Sequence, residues 1–284
     1  MKIKNNNKFA VLIVLFLIST ASVLSQQKIK LVILHTNDTH SQVEPTEKSS
    51  LKTADMGGYA RRMGVINEIR EQEKNVFLVD AGDYSQGTPY FNFFKGRIEI
   101  DAMNRMKYDA GTLGNHEFDN GMDTLAIVLK NAQFPLISSN YNLDKTPLFS
   151  LIKPYIVLQR AGLRIGIMAL DVDPQSLIFE KNYRGMIYED PIKKANEVSA
   201  LLKKKEKCDV IICLSHLGAD TNKVVNDFEI AHKTRYINVI IGGHSHSMIT
   251  NTSVKNAMGK SIVIAQMGKS GLYLGRVDLL LEKK

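Results

Sequence analysis

The chain has 284 residues, of which 44% are hydrophobic and 23% charged, with a formal charge of +8 and two cysteines. These values are ordinary for a globular protein of one large or two small domains, and they exclude a fold that depends on several disulfide bonds. The positive charge favours anionic substrates but does not indicate a nucleic-acid polymer as partner, because no aromatic residues are interleaved with the basic ones.

The first residues of the chain have the pattern of an export signal. Three lysines precede an unbroken apolar run from Phe9 to Ile18, and small residues follow it. This pattern predicts a signal peptide over residues 1–25 and a mature domain over 26–284, either periplasmic or extracellular. The apolar run is about half of the roughly 20 residues that a membrane span needs, so we predict no stable membrane anchor.

The rest of the chain alternates apolar, β-branched runs with amphipathic stretches, which predicts an α/β domain. The predicted strands are Ile29–Leu34, Val76–Val79, a strand starting at Pro135, Tyr155–Gln159, Leu163–Leu170, Val210–Leu214 and Val239–Ile241. The predicted helices are Gly58–Lys74, Ile98–Lys107, Met122–Asn131, Pro191–Lys205 and Thr221–Ala231. Two alternating runs, Ser261–Gln266 and Leu272–Leu281, suggest a final hairpin. Two sheets packed face to face with helices outside would accommodate this pattern.

Two further predictions concern particular side chains. The first helix should carry Tyr59, Met63, Ile66 and Ile69 on one apolar stripe. When the strand at Val210–Leu214 is extended back to Cys208, the residues Cys208 and Cys213 lie on opposite faces and too far apart to form a disulfide, so we expect both to be small buried hydrophobic residues.

Five short segments carry side chains that bind metals, and at least four of them directly follow an apolar run. In an open α/β sheet the functional crevice lies at the carboxyl ends of the strands, so these segments should meet at one rim. The sequence therefore predicts a binuclear metal site. Its candidate ligands are Asp38, His40, Asp83, Asn115, His216, His244 and His246.

The candidate ligands restrict the chemistry of this site. Nitrogen and oxygen donors without thiolate suit Zn, Mn or Fe. Asp83 is the expected bridge between two cations, which together lower the pKa of a shared water and hold the oxygens of an in-line displacement, as phosphate ester hydrolysis requires. We expect Asp38 and His40 to lie on the same side of an extended stretch, and His35 to be a structural hydrogen-bonding residue.

A second pair of side chains is suited to proton transfer. Asp119 lies three residues after His116, a spacing that lets the carboxylate hydrogen-bond the imidazole in a helical turn. An aspartate partner keeps a histidine protonated and oriented, as a general acid needs. His116 and Asp119 are therefore the candidate catalytic residues.

In this order, the five segments resemble those of the calcineurin-like metallophosphoesterases, and they are most similar to the 5′-nucleotidase branch. The resemblance covers essentially the whole mature chain and implies a four-layer αββα sandwich with two divalent metal ions. His116 and Asp119 would stabilise the transition state and assist the leaving group. The resemblance also implies two ligand sets that share one residue: Asp38, His40, Asp83 and His246 for one metal, and Asp83, Asn115, His216 and His244 for the other.

The resemblance implies a small-molecule phosphate ester, in particular a nucleotide, as substrate. Full-length members carry a second, C-terminal domain that stacks the nucleobase, so we expect a separately encoded nucleotide-recognition domain as a candidate partner. Two other activities fit the same motifs: a 2′,3′-cyclic-nucleotide phosphodiesterase with 3′-nucleotidase activity, and a nucleotide-sugar hydrolase. A non-catalytic metal-binding module is the alternative from a different class.

Overall fold

The structure is a computed structural model that describes residues 28–50 and 52–282; the predicted signal peptide lies outside this part of the chain. The described residues form fourteen strands and six α-helices. The strands are Lys28–Thr36 (β1), Val76–Asp80 (β2), Ala110–Thr112 (β3), Leu136–Ile137 (β4), Tyr141–Asn142 (β5), Ile152–Lys153 (β6), Tyr155–Arg160 (β7), Leu163–Leu170 (β8), Ile187–Tyr188 (β9), Val210–Ser215 (β10), Val239–Gly242 (β11), Met248–Lys255 (β12), Ser261–Met267 (β13) and Gly275–Glu282 (β14). The helices are Tyr59–Gln72 (α1), Pro89–Phe94 (α2), Arg97–Met106 (α3), Met122–Leu129 (α4), Pro191–Lys204 (α5) and Asp227–Lys233 (α6).

Two six-stranded sheets form the centre of the domain. The first has the order β14-β1-β2-β3-β4-β6 and the second the order β12-β13-β11-β10-β8-β7, while β5 and β9 pair separately. Within each sheet the strands that precede the candidate ligands run parallel to their neighbours, apart from the pairing of β1 with the antiparallel β14. Parallel strands buried on both faces account for their nearly continuous apolar sequences.

The core has three apolar layers, and β1 contributes to two of them. Leu31 and Ile33 point into the layer between the two sheets, whereas Val32 and Leu34 point to the helices on the outer face of the first sheet. The third layer lies between the second sheet and the helices α5 and α6. This alternation follows from the two-residue period of a strand. The predicted four-layer αββα sandwich is therefore confirmed.

The start of α5 follows the predicted capping pattern. The Asp190 carboxylate accepts a hydrogen bond from the Lys193 backbone N–H at 2.9 Å, and Pro191 occupies the first turn, where its missing N–H has no intrahelical partner to lose. The helix α6 differs from its prediction. It begins at Asp227 instead of near Thr221, because the Asn226 side chain accepts hydrogen bonds from two backbone N–H groups of the first turn.

The predicted final hairpin is wrong. The strand β13 pairs antiparallel with β12, which the sequence pattern did not reveal, and β14 crosses to the first sheet and pairs with β1. Local alternation predicts a strand but not its partner, and here the two last strands belong to different sheets.

Three single-residue predictions also need correction. Met63 is 37% exposed, and Arg62 occupies the inner face of α1 in its place. Cys208 and Cys213 are free and buried, as predicted, but they share the helix side of the second sheet, because Cys208 precedes β10. Both ring nitrogens of His35 are buried without a hydrogen-bond partner among the described residues, so His35 is not the predicted hydrogen-bonding residue.

Within residues 28–50 and 52–282, no helix combines the length and the apolar character needed to cross a membrane.

Candidate metal centre

The loops that follow β1, β2, β3, β10 and β11 meet at the carboxyl ends of the two sheets. Hydrogen bonds from backbone N–H groups hold them together: the Asp38 N–H donates to the Gly82 carbonyl at 2.9 Å, and the His116 N–H donates to the Asp83 side-chain carboxylate at 2.9 Å. All seven side chains that the sequence singled out as ligands lie at this junction. The five segments therefore converge on one rim, as predicted.

One group of potential ligands consists of Asp38, His40 and His246. The two imidazoles are nearly perpendicular and approach through their Nε2 atoms, which lie 3.0 Å apart, and Asp38 Oδ1 lies 3.5 Å from His246 Nε2. The Asp38 carboxylate is fully buried and is held in place by the His244 backbone N–H and by the Asn37 side-chain amide, which donates to Oδ2 at 2.6 Å.

A second group consists of Asp83, His216 and His244, with Asn115 beside it. Asp83 Oδ2 is 3.0 Å from His216 Nε2, and Asn115 Oδ1 is 3.1 Å from His244 Nδ1. Asp83 also belongs to a further group with His40 and His116, so its carboxylate lies between the two sets of ligands.

The spacing of these atoms fits divalent cations. Two ligand atoms that bind one cation at right angles, each about 2.1 Å from it, lie about 3.0 Å apart. The three closest pairs are separated by 3.0, 3.0 and 3.1 Å. His216 Nδ1 donates to the Ala81 carbonyl at 2.7 Å, which fixes the ring, while its buried Nε2 makes no other hydrogen bond among the described residues and faces Asp83 Oδ2 at 3.0 Å. An imidazole anchored through one nitrogen and open at the other is a typical metal ligand.

The local backbone differs from the extended conformation that we predicted. Asp38 and His40 have φ angles of 47° and 45°, and Asp83, His244 and His246 are also in the left-handed region. Left-handed turns at the strand ends bend these side chains inward. Gly243 permits the close approach of two loops, since a Cβ atom there would lie 2.8 Å from both the Ala81 carbonyl oxygen and His216 Nδ1.

The ionisable side chains of the site shift one another's pKa values. Burial raises the pKa of Asp83, but the imidazoles of His216 and His116 outweigh this effect and hold the pKa well below the usual carboxyl range. Burial lowers the pKa of His216, whereas the Asp83 carboxylate raises it, and the net pKa is well above the usual value. Burial and the positive charges of His216 and Lys223 lower the pKa of His244 to about 4. His244 is therefore neutral at pH 7, the form that binds metals.

His116 and Asp119 form the predicted pair. His116 Nδ1 donates to Asp119 Oδ2 at 3.0 Å from the single turn of 3₁₀ helix at His116–Phe118. Burial lowers the pKa of His116, but the hydrogen bond to Asp119 and the charge of Asp83 raise it more, so the net pKa is above the usual value. The pair stands beside both ligand groups, where a protonated imidazole can reach a substrate oxygen.

Sequence reasoning gave no role to Glu117, although it lies in the most specific of the five segments. Its carboxyl group is buried and accepts hydrogen bonds from the backbone N–H groups of Asp83 at 3.0 Å, Ser85 at 3.0 Å and Gly114 at 2.5 Å. Glu117 therefore joins the loops after β2 and β3. A glutamate directly after a strand-end histidine was the available signal, but its partners are backbone groups that a sequence does not reveal.

Comparison with known proteins agrees with this geometry. Residues 31–248 match the family described as calcineurin-like phosphoesterase. Snake venom 5′-nucleotidase from Naja atra is 33% identical over 281 residues, which cover 90% of this chain and 51% of that protein. The chain thus spans about half the length of the curated 5′-nucleotidases that it matches.

Solved structures of 5′-nucleotidases and calcineurin-like phosphoesterases are also similar to this chain. The 5′-nucleotidase precursor from Thermus thermophilus superposes with a TM-score of 0.79 at 32% identity, covering 90% of this chain and 54% of that one. The calcineurin-like phosphoesterase YfkN from Bacillus subtilis superposes with a TM-score of 0.74 at 31% identity, covering 91% of this chain and 87% of that one. The protein YfkN is described as a trifunctional nucleotide phosphoesterase.

Proposed function

The chain belongs to the calcineurin-like phosphoesterase family, and from that premise we propose that it is an exported, two-metal phosphoesterase that hydrolyses nucleotide phosphate esters in the manner of a 5′-nucleotidase. The observation that carries the proposal is the meeting of seven ligand side chains from five strand ends, in two groups with one carboxylate, Asp83, between them. Export rests on the signal-peptide pattern of residues 1–25.

The two groups of side chains would hold two divalent cations. Asp83 would belong to both sets, which explains why one carboxylate lies close to His216 on one side and to His40 on the other. Zn, Mn and Fe are the candidates, since the donors are imidazoles, carboxylates and one amide. The proposed ligands are Asp38, His40, Asp83 and His246 for the first cation, and Asp83, Asn115, His216 and His244 for the second.

Two bound divalent cations would supply Lewis-acid chemistry, activating water for in-line attack and offsetting the charge of the phosphoryl group. The protein's own contribution is orientation and proton transfer. Asp119 orients the His116 ring by accepting from Nδ1, which leaves Nε2 to donate a proton to the leaving oxygen. Glu117, through its backbone partners, keeps Asp83 and Asn115 in register on neighbouring loops.

A second candidate function fits the same motifs. The matched region covers 18% of YfkN, whose description as a trifunctional nucleotide phosphoesterase applies to that whole protein, and among the activities that fit the motifs we keep 2′,3′-cyclic-nucleotide phosphodiesterase with 3′-nucleotidase activity as the nearest alternative. Nucleotide-sugar hydrolysis shares the same cleavage chemistry, since the ligands describe the reacting centre and not the leaving group. A separate nucleotide-recognition domain acting with this chain remains a prediction.

The test is phosphate release by the metal-reconstituted mature protein from AMP, UDP-glucose, 2′,3′-cyclic AMP and an aryl phosphate, measured side by side. A phosphatase step coupled to the UDP-glucose and cyclic AMP reactions makes their products visible. We expect AMP to have the highest kcat/KM. A higher value for cyclic AMP would favour the alternative, and absence of hydrolysis with all four esters would refute the phosphoesterase proposal.

A further inference from the structure

Ser245 stands between the two histidines of the last ligand segment, and the mechanism above gives it no role. On one side of it, His244 belongs to the ligand group of Asp83. On the other side, His246 belongs to the ligand group of Asp38, so Ser245 separates ligands of the two proposed cations. Both histidines are in the left-handed region, with φ angles of 68° and 52°. Because this backbone conformation is unfavourable for residues that carry a side chain, contacts from outside the turn must hold it.

The Ser245 hydroxyl makes three hydrogen bonds, which is all that a hydroxyl can make. It donates to Gln266 Oε1 at 2.9 Å, and it accepts from the Ala219 backbone N–H at 3.0 Å. The Ser247 hydroxyl lies 3.0 Å away and must be the donor of the third bond, since Ser245 has given its one proton to Gln266. Ala219 lies in the loop after β10 that carries His216, and Gln266 lies on β13. One hydroxyl thus joins the loops after β10 and β11 to β13.

Gln266 is a buried polar residue on a strand whose other buried residues are apolar. Its exposed fraction is 0%, and its oxygen is bonded to Ser245. Its Nε2 atom is buried without a hydrogen-bond partner among the described residues. Burying an amide with one unpaired group is unfavourable. The hydrogen bond to Ser245 is therefore the interaction that accounts for a glutamine at this position.

The end of β13 also holds the loop of Asp38. The Met267 N–H donates to Asn37 Oδ1 at 2.8 Å. The Asn37 amide in turn donates to the Gly268 carbonyl at 2.8 Å and to the Asp38 carboxylate at 2.6 Å. The end of β13 supplies none of the candidate ligands, so it can influence the metal centre only through the two ligand loops that it contacts.

We propose that Ser245 and Gln266 are positioning residues that keep the ligands of both cations at binding distance, an inference that rests on the proposed function. The Ser245 hydroxyl would fix the left-handed turn in which His244 and His246 present their rings to different cations. The same turn aims the His244 backbone N–H at the Asp38 carboxylate, 3.0 Å from each of its oxygens. Without the hydroxyl the turn would relax, and both ligand groups would loosen together.

The test breaks the hydrogen bond from either side and measures Zn²⁺ binding. Ser245→Ala removes the hydroxyl, and Gln266→Met replaces the acceptor with an apolar side chain of similar length. Ser139→Ala is the matched control. The Ser139 hydroxyl donates to the Pro154 carbonyl at 2.6 Å and accepts from the Ala169 N–H at 3.1 Å, so this variant also loses hydrogen bonds that join separate segments.

The wild type, these three variants and the double variant of Ser245 and Gln266 are prepared without metal. Each protein competes with a chromophoric chelator for Zn²⁺, and its unfolding in urea is followed without metal. We expect Ser245→Ala and Gln266→Met each to lower the affinity for both Zn²⁺ ions about 10-fold, the lower end of the range for residues that hold a metal ligand. Since both act through one hydrogen bond, Gln266→Met should have no further effect in the Ser245→Ala background. Ser139→Ala should lose stability towards urea and bind Zn²⁺ as the wild type does.

Wild-type Zn²⁺ affinity in the single variants, or additive losses in the double variant, would overturn the inference and leave the proposed function intact. An equal loss of Zn²⁺ affinity in Ser139→Ala would also overturn it, because the effect would then follow from reduced stability. Either single variant decides the question against Ser139→Ala if the other does not fold. A wild type that binds no Zn²⁺ would refute both proposals. If the Zn²⁺ pattern is as expected but the loaded wild type hydrolyses no ester, the phosphoesterase proposal fails and the positioning role stands.

Discussion

Replacing His116 with alanine separates proton donation from metal binding. In the structure, His116 Nδ1 is committed to Asp119 at 3.0 Å, so only Nε2 is available to protonate a leaving oxygen. The requirement for that proton depends on the leaving group. The ribose oxygen of AMP is a poor leaving group unless it is protonated, whereas 4-nitrophenolate leaves readily without a proton. The loss of rate should therefore be large for AMP and small for 4-nitrophenyl phosphate.

The expected magnitudes follow from the geometry of this pair. A general acid contributes about 10²–10⁴ in rate, so His116→Ala should lower kcat for AMP by at least ~10²-fold. Removing only the Asp119 charge removes a charge-assisted hydrogen bond of about 1.5–3 kcal/mol. Because 32% of His116 and 35% of Asp119 side-chain surface is exposed, solvent screening favours the lower end, about 10-fold for Asp119→Asn.

The assay is steady-state hydrolysis of both esters by wild type, His116→Ala, Asp119→Asn and the control Asp123→Asn, together with the metal content of each protein. Asp123 is exposed on α4, so its variant should match the wild type. Equal losses with AMP and 4-nitrophenyl phosphate would refute proton donation to the leaving group. Loss of a metal ion from His116→Ala would instead make His116 a ligand, together with His40 and Asp83.

Three further predictions follow from the same site. Asp83→Asn should lower the metal affinity, measured by metal titration, by more than about 10-fold, because mutating even a residue that only hydrogen-bonds a ligand lowers metal affinity about 10–100-fold. Unaltered metal stoichiometry and affinity would argue against a bridging carboxylate. Glu117→Ala leaves three buried N–H groups without their partner, so the free energy of unfolding in urea should fall by about 3 kcal/mol or more. The control Glu180→Ala, at an exposed position, should leave the free energy of unfolding unchanged. Burial raises the pKa of Asp171 from 3.8 to about 7, so folded Asp171 keeps its proton where the unfolded chain loses it, and stability falls as pH rises through that window. Asp171→Asn should therefore have a shallower fall in unfolding free energy between pH 4 and 7, and an unchanged slope would contradict this account.

The sequence predicted the position of the candidate site because strand ends are encoded locally. Asp38, Asp83 and His216 each follow an apolar run whose end is visible in the residue pattern, and parallel strands bring their carboxyl ends to one edge. The pairing of His116 with Asp119 is equally local, since one helical turn joins them. These predictions required no knowledge of which strand pairs with which.

The predictions that failed depend on contacts between distant parts of the chain. The strand β14 leaves its sequence neighbour to pair with β1, more than two hundred residues away along the chain. Asp38 and His40 adopt left-handed turns because backbone hydrogen bonds from neighbouring loops hold them, including the His40 N–H to the Asp83 carbonyl at 3.0 Å. Lys223 was placed in a predicted helix, and the Asn226 cap leaves it in a loop that reaches His244.

The central claim is that two metal ions at this junction carry out phosphate ester hydrolysis, and the most direct measurement is AMP hydrolysis by the metal-free protein as metal is added back. Phosphate release and bound metal are determined together at each step. The account predicts that activity rises until two equivalents are bound per chain and then remains constant. Full activity at one equivalent, or no phosphate release with two equivalents bound, would contradict it.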